Sequence, residues 1–236
     1  MSALWFINMD VDQLQKISLF TELPSQVLEQ LAKHCRLKQY AAESVVFYEG
    51  DALSACLHVL VSGRLHIGRI SPSGKETILR ILSAGEIFAA PALFGDGKAP
   101  ATATAIEPAV ILTLERQALL DGFAQAPELA LHLLCIFNQR LQQLHNQMHG
   151  LVSERAIIRL INYLEHFMAN AGCVLTPGGE QIEAQLTHYQ IARSIGISYE
   201  ECVRLFRQLR PVVVYKRGGT ITVTDREQLS ALKATV

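Results

Sequence analysis

The chain has 236 residues, half of them hydrophobic and 18% charged, with a net charge of −1. That balance excludes a disordered or polyionic chain and provides enough apolar material for one large domain or two modest ones. Its longest apolar runs, such as ALHLLCIF at 130–137, stop well short of the roughly 20 residues that span a bilayer, and the first ten residues carry no basic leader region. A cytoplasmic location with no membrane partner is the expectation.

Five cysteines, Cys35, Cys56, Cys135, Cys173 and Cys202, are odd in number and scattered, with no CxxC spacing. The pattern argues against a disulfide framework and against a zinc site, so reduced, buried thiols and no metal are expected. Charge is distributed unevenly: residues 1–153 hold 11 Lys+Arg against 14 Asp+Glu, residues 154–236 hold 10 against 8, and the stretch Arg193–Arg217 holds six against two. A local positive surface in the C-terminal third follows.

From Tyr40 to Glu115, short β-rich runs alternate with turn signals (SVVFYEGD, CLHVLVSGRLHIGRISPSGKETILRIL, AGEIF, ATATAIEPAVILTLE). Leu57 to Leu82 reads as hairpin arms about SPSG, with Ser62 and Gly63 turning the chain before it; strands at this spacing predict a small barrel or sandwich. Pro127 and Glu128 then open a long helix, Pro suiting a first turn and Glu the positive end of the helix dipole. Leu129, Leu133, Ile136, Leu141, Leu144, Met148 and Leu151 recur at spacings of 4, 3, 5, 3, 4 and 3, close to a coiled-coil seam. This stripe is the expected dimer interface, the alternative being that it packs on its own barrel. A domain boundary is placed at Val152 to Arg155, with domains at 1–126, 127–153 and 154–236; ERAIIRLINYLEHFMANAG reads as a further helix stopped by Gly172, and TPGGEQ as a turn.

The segment LTHYQIARSIGISYEECVRLFRQLR, from Leu186 to Arg210, is apolar yet holds four arginines. Thr187 can cap a helix from His188 to Ile195, Gly196 breaks it, and Ser198 can cap a second helix from Tyr199, with Glu201 at the capping-box position. That is helix-turn-helix spacing. At 100° per residue, Cys202, Leu205, Phe206 and Leu209 share one face, and Glu200, Arg204 and Arg207 the opposite one. An exposed Glu200–Arg204 ion pair is the bland reading of that outer face. The functional one places the helix in a DNA major groove, where arginine donates two hydrogen bonds to guanine and a carboxylate accepts from cytosine. Thr187, His188, Ser198 and Arg207 then lie near phosphates, with Tyr199 and Val203 beside the base-reading pair. VVVYKRGGTITVTD alternates about Gly218 and Gly219 as a hairpin with a basic tip would, which puts Lys216 and Arg217 where a wing touches the DNA backbone.

On VVFYEGD, LVSGRLHI, SPSGKETILRILSAGEIF, PATATA and LTHYQIARSIGISYEECVRLFRQL the chain resembles the Crp/Fnr superfamily of bacterial transcription regulators over nearly its full length. The resemblance implies an α+β protein: an N-terminal cyclic-nucleotide-binding-like β-roll of jelly-roll type, a long central dimerisation helix and a C-terminal winged helix-turn-helix. It also implies a homodimer on a pseudo-palindromic double-stranded site and RNA polymerase as a partner. Glu200 and Arg204 match the family's base-reading positions, while Tyr199 and Val203 depart from the residues found there in several branches.

The sensor part departs further. Where cyclic-AMP-binding members carry Gly-Glu for the ribose and Arg-Ser for the phosphate, this chain aligns Ala89–Ala90 and Pro100–Ala101, and Leu144 and His145 stand at the adenine-contacting helix positions. A buried phosphate without a partner costs several kcal/mol, which argues against cyclic AMP. The N-terminal cysteines of iron-sulfur members are missing too. An apolar pocket of Phe88, Ala89, Ala90, Pro91, Pro100, Ala101, Leu144 and His145 is compatible with haem or another apolar ligand, with His58, His66, His132, His145 and His149 as axial candidates; a sensor with no small ligand is equally open. A competing function is a ligand- or haem-binding module whose helix-turn-helix serves protein contacts. No phosphate-binding glycine loop, HExxH or GxSxG occurs, so no enzyme is expected.

Overall fold

The computed structural model describes residues 9–235; the first eight residues of the expected N-terminal domain, and Val236, lie outside them. The chain divides into two compact units, one ending at Leu141 and the other beginning at Gln142.

The first unit opens with α1 (Val11–Gln15), started by a capping box in which Asp10 accepts from the Gln13 backbone N–H at 2.8 Å, then a 3-10 turn (Ser18–Phe20) and α2 (Ser25–Lys33). Eight strands follow: β1 (Cys35–Tyr40), β2 (Val45–Phe47), β3 (Cys56–Ser62), β4 (Leu65–Ile70), β5 (Glu76–Leu82), β6 (Ile87–Phe88), β7 (Thr102–Ala105) and β8 (Ala109–Glu115), with α3 (Ala90–Phe94) between β6 and β7. They form two four-stranded antiparallel sheets, β1-β8-β3-β6 and β2-β7-β4-β5. Inward residues of both, among them Phe47, Leu60, Leu65, Leu82, Phe88, Ala103, Ala105 and Ile111, make one buried cluster, as face-to-face sheets with alternating side chains require. On the outer face of the first sheet, Leu57, Val59, Leu112 and Leu114 pack with Leu14, Phe20, Leu28 and Leu31 of the N-terminal helices and with Leu119 of α4 (Arg116–Gln125). The sheet is therefore buried on both sides, which explains the near-continuous apolar run AVILTL in β8.

The SPSG segment turns β4 into β5, with the Ser71 N–H on the Lys75 carbonyl at 2.9 Å and Gly74 at φ 79°. Ser62 and Gly63 make the preceding turn. Gly63 has φ 82°, and a Cβ there would lie 2.3 Å from the Pro108 carbonyl oxygen, so both conformation and space require glycine.

Helix α5 runs unbroken from Pro127 to Ser153, and α6 (Ala156–Asn170) follows after a break at Glu154 and Arg155. The division into compact units falls inside α5, so its last turns group with the C-terminal part. The second unit continues with β9 (Cys173–Thr176), β10 (Gly179–Ile182), α7 (His188–Ile195), α8 (Tyr199–Gln208), β11 (Val213–Lys216), β12 (Thr220–Val223) and α9 (Arg226–Thr235). The four strands form one antiparallel sheet in the order β11-β12-β10-β9. Sequence patterning anticipates β11 and β12 but reads TPGGEQ only as a turn; it is the tip of a further hairpin, in which Thr176 pairs with Gly179. Leu160, Ile161, Leu164, Phe167, Ile191, Ile195, Leu205, Phe206, Val213, Ile221 and Leu229 are buried in this unit. Among the described residues no single helix is long and apolar enough to cross a membrane.

Replacing Gly63 with Ala should destabilise the first unit by roughly 1–3 kcal/mol, read as a lower urea midpoint at unchanged slope; a midpoint equal to the parent's would mean that the Pro108 segment moves aside freely.

Candidate nucleic-acid interface

The two helices of the motif begin and end on their own sequence signals. Thr187 Oγ1 accepts from the Gln190 backbone N–H (3.2 Å), and Gln190 Oε1 accepts from the Thr187 backbone N–H (3.0 Å), closing a full capping box. Gly196 caps the C-terminus of α7 in the left-handed conformation, φ 73°, and Leu151 packs so closely that a Cβ here would approach it to 3.1 Å. Ser198 then caps α8, accepting from the Glu201 N–H at 3.1 Å. Its capping box is not reciprocal: the Glu201 carboxylate instead accepts from Arg204 at 3.1 Å. The bland Glu200–Arg204 pair is thus replaced by a Glu201–Arg204 pair three residues apart.

Cys202, Leu205, Phe206 and Leu209 are all buried, which leaves Glu200, Arg204 and Arg207 exposed on the far side of α8, with Val203 half-buried at its margin and Tyr199 half-exposed at its start. Lys216 and Arg217 are exposed at the β11–β12 turn, whose Gly218 and Gly219 both have positive φ. That turn is tied to the start of the motif: the Leu186 N–H donates to the Gly219 carbonyl at 2.8 Å, and a Cβ on Gly219 would meet the Leu186 backbone at 2.9 Å. A basic wing is held at fixed distance from α7 by backbone contact.

His188 is placed differently from the other candidates. Its ring stacks on Tyr215 (centroids 3.7 Å apart, 19° between planes) and meets Phe206 edge-on at 4.8 Å, and its Nε2 is buried without a hydrogen-bond partner. It joins α8 to β11; position alone could not reveal this, because Tyr215 and Phe206 come from other segments. Thr187 and Ser198 likewise spend their hydroxyls on helix caps.

The expected dimer stripe divides in two. Leu129 and Leu133 are buried, and Ile136 is packed against the same core of the first unit, so this part follows the alternative reading. Leu141, Leu144, Met148 and Leu151 are exposed, and so are Leu131, Leu134 and Val152, which the stripe omitted. Leu131, Leu134, Asn138, Leu141, His145, Met148 and Val152 follow one another at alternating intervals of 3 and 4, a regular heptad of which the apolar members are 50–83% exposed.

Among the sensor candidates, Phe88 is buried and stacks on Phe47 (6.0 Å), Ala101 is buried, Ala89 and Pro91 are half-buried, and Ala90 and Pro100 are exposed. Ala89 has φ 53°, left-handed, and caps α3. Leu144 and His145 are exposed on α5. Beside β6 lies a charge cluster that sequence reading missed: Arg80 pairs with Glu86 and donates to the Ile87 carbonyl at 3.3 Å, and Arg140 is brought to about 10 by burial and by the nearby Arg80 charge. His58 is buried against Phe47 and Phe88, its Nδ1–H donating to the Cys56 carbonyl at 3.1 Å, and burial pushes its pKa down. His66 faces Glu76 at 3.5 Å and His132 faces Glu22 at 3.6 Å. Burial raises the Cys35 and Cys202 thiols to about 12, so both stay protonated and inert.

Burial also holds the His188 imidazole below its ordinary value. A depressed folded-state pKa means that the stability it confers is complete above the unfolded value and is lost as pH falls through the histidine range. Lowering the pH should therefore lower the denaturation midpoint of the second unit and its DNA affinity together, and His188→Phe should flatten its share of that dependence; an unchanged pH profile in the variant would show that His188 does not carry it.

Comparisons with known proteins agree with this geometry. The family model described as "Cyclic nucleotide-binding domain" matches residues 37–126, and the one described as "Crp-like helix-turn-helix domain" matches residues 158–232. The chain is 24% identical over 222 residues to the "CRP-like cAMP-activated global transcriptional regulator" of Mycobacterium tuberculosis, covering 92% of this chain and 96% of the relative. It is 26% identical over 215 residues to the "Cyclic AMP receptor protein" of Thermus thermophilus, covering 91% and 95%. The solved structure of a CooA mutant from Carboxydothermus hydrogenoformans superposes with a TM-score of 0.75 at 19% identity over 97% of this chain and 98% of that one, a likeness of fold. With a sandwich sensor domain, a long helix and a capped helix-turn-helix with a basic wing, the chain belongs to the Crp/Fnr superfamily and is a Crp-like DNA-binding transcription regulator.

Proposed function

We propose that this regulator works as a homodimer, paired in parallel along α5, and reads a pseudo-palindromic duplex in the cytoplasm, where it also meets RNA polymerase. The observation that carries the reading is the bare outer face of α8: Glu200, Arg204 and Arg207 project from a helix whose other side is buried, next to the basic wing tip of Lys216 and Arg217. Arg204 donates to guanine and Glu200 accepts from cytosine, while Arg207, Lys216, Arg217 and the N-terminal ends of α7 and α8 hold phosphates. The Glu201–Arg204 pair positions the guanidinium in the free protein and opens at little cost, since exposed ion pairs are worth under about 1 kcal/mol.

For the dimer, the supporting feature is the heptad from Leu131 to Val152, in which Asn138 and His145 take a positions and Leu134, Leu141 and Met148 take d positions. Leucine at d with a polar residue at a favours two parallel strands in one register. Parallel pairing brings both recognition helices to the same side, as two half-sites one helical turn apart demand.

The sensor unit is proposed to answer a ligand other than cyclic AMP. Alanines and a proline stand where a cyclic phosphate and a ribose need donors and a carboxylate, and Pro100 has no N–H to offer. The charges at hand beside β6 are the two cations Arg80 and Arg140 and the anion Glu86, which pairs with Arg80.

Selection from a pool of randomised duplexes should return inverted repeats. Arg204→Ala should lose about 1–3 kcal/mol of discrimination at one base pair of each half-site, and affinity should fall steeply with log[salt]. Leu141→Asp should sediment as a monomer and bind the selected duplex at least tenfold more weakly. Calorimetric titration with cyclic AMP should show no heat of binding. Equal affinity for all duplexes would favour the protein-contact module instead, and saturable cyclic AMP binding would overturn the sensor assignment.

A further inference from the structure

We propose that the groove between α8 and β11 seats one sugar–phosphate strand at the edge of each half-site, with Arg210 as a phosphate ligand. The proposal rests on the reading of α8 as the base-reading helix.

The groove has a volume of about 480 Å³ and lies wholly within the second unit. Val203 and Arg207, four residues apart on one edge of α8, form one wall, and Arg210 extends it in the turn that follows. Val214 and Tyr215 of β11 form the other wall, and Phe206, buried and set edge-on to Tyr215 at 5.2 Å, joins the two.

Two observations call for a negative occupant. No residue lining the groove is acidic. Arg204, Arg226 and Lys233 of the same unit each face a carboxylate, whereas Arg207 and Arg210 make no ion pair or hydrogen bond among the described residues. Like charges this close repel, and an anion between them removes that cost.

The lining favours a strand over a small molecule. Small-molecule pockets bury about 70–90% or more of their ligand, but here both arginines are exposed and Val214 is 40% exposed, so the groove lies open along one side. An open channel with valines along its walls and cations on its rim matches a backbone that presents deoxyribose carbons and phosphate oxygens in alternation. Position agrees. With α8 in a major groove and the tip of Lys216 and Arg217 on phosphate, the strand between those contacts passes the flank of α8 that faces β11. Arg207 meets that strand from within the helix, and Arg210 adds a second cation to it.

The test compares the full-length protein with Arg210→Gln and Arg210→Lys, after equal urea midpoints confirm folding, on the selected duplex and on a scrambled one over a range of salt. Arg210→Gln should weaken binding to both duplexes by the same factor and leave base preference unchanged at every position. It should also reduce the slope of log K against log[salt] by about 0.9 per chain. Arg210→Lys should restore the slope, because a point charge suffices for phosphate. Among neutral methylphosphonate linkages placed singly along the flank, one should weaken the parent but not Arg210→Gln. An unchanged slope in Arg210→Gln, a loss confined to one base pair, or no linkage that separates the two proteins overturns the proposal. Benzoate that displaces duplex from the parent alone, with the slope unchanged, overturns it too and assigns the groove to a small anion. If Arg204→Ala keeps full discrimination while Arg210→Gln lowers the slope, the base-reading assignment falls and the strand seat stands.

Discussion

The packing of one face of α8 onto α7 fixes which residues of α8 the Crp-like helix-turn-helix leaves exposed. Cys202, Leu205, Phe206 and Leu209 are buried with Ile191, Ala192 and Ile195. Burial of an aliphatic or aromatic side chain contributes about 1.5–3 kcal/mol, so the rotation of α8 about its axis is fixed far more firmly than any surface charge pair could fix it. Rotating α8 to hide the arginines would expose those side chains and bury three charges. The outward set Glu200, Arg204 and Arg207 is what that constraint leaves over.

The wing is subordinate to the same packing. Tyr215 of β11 lies against His188 and Phe206, and the Leu186 N–H donates to the Gly219 carbonyl, so the basic tip, the first turn of α7 and α8 are tied together by direct contact. The His188 ring, stacked on Tyr215 and edge-on to Phe206, sits in this aromatic group with its Nε2 buried and without a hydrogen-bond partner. Phosphate contacts fix the register of a protein on a duplex, so under the function proposed above this tie would set where the exposed face of α8 meets the bases.

Helix α5 meets two demands on different faces. In its first half one side is consumed by the core of the sensor unit, through Leu129, Leu133 and Ile136, while Leu131 and Leu134 remain outside. Farther along, Leu141, Leu144, Met148 and Leu151 are all exposed, so the helix ends more apolar on its surface than a lone chain in water tolerates well. The homodimer proposed above would cover that exposure.

Much of this was readable from the chain itself. Thr187, Gly196 and Ser198 mark helix ends through hydrogen bonds to residues three positions away or through backbone conformation, and the hundred-degree periodicity of α8 separated its buried from its exposed residues correctly; local interactions suffice for both. The SPSG and Gly218–Gly219 turns were legible for the same reason. The stripe on α5 was not, because its first half is apolar nearly all round, with Leu129, Leu131, Leu133, Leu134, Ile136 and Phe137 within nine residues, and only contact with α2, β1 and α4 decides which leucines are spent inside. The placement of His188 and the cluster of Arg80, Glu86 and Arg140 were hidden likewise, since each depends on residues remote in sequence. The chain by itself determined where the helices of the helix-turn-helix start and stop and which residues of α8 are exposed; the tertiary structure decided which side of α5 is left exposed, because burial is a property of neighbours and not of spacing.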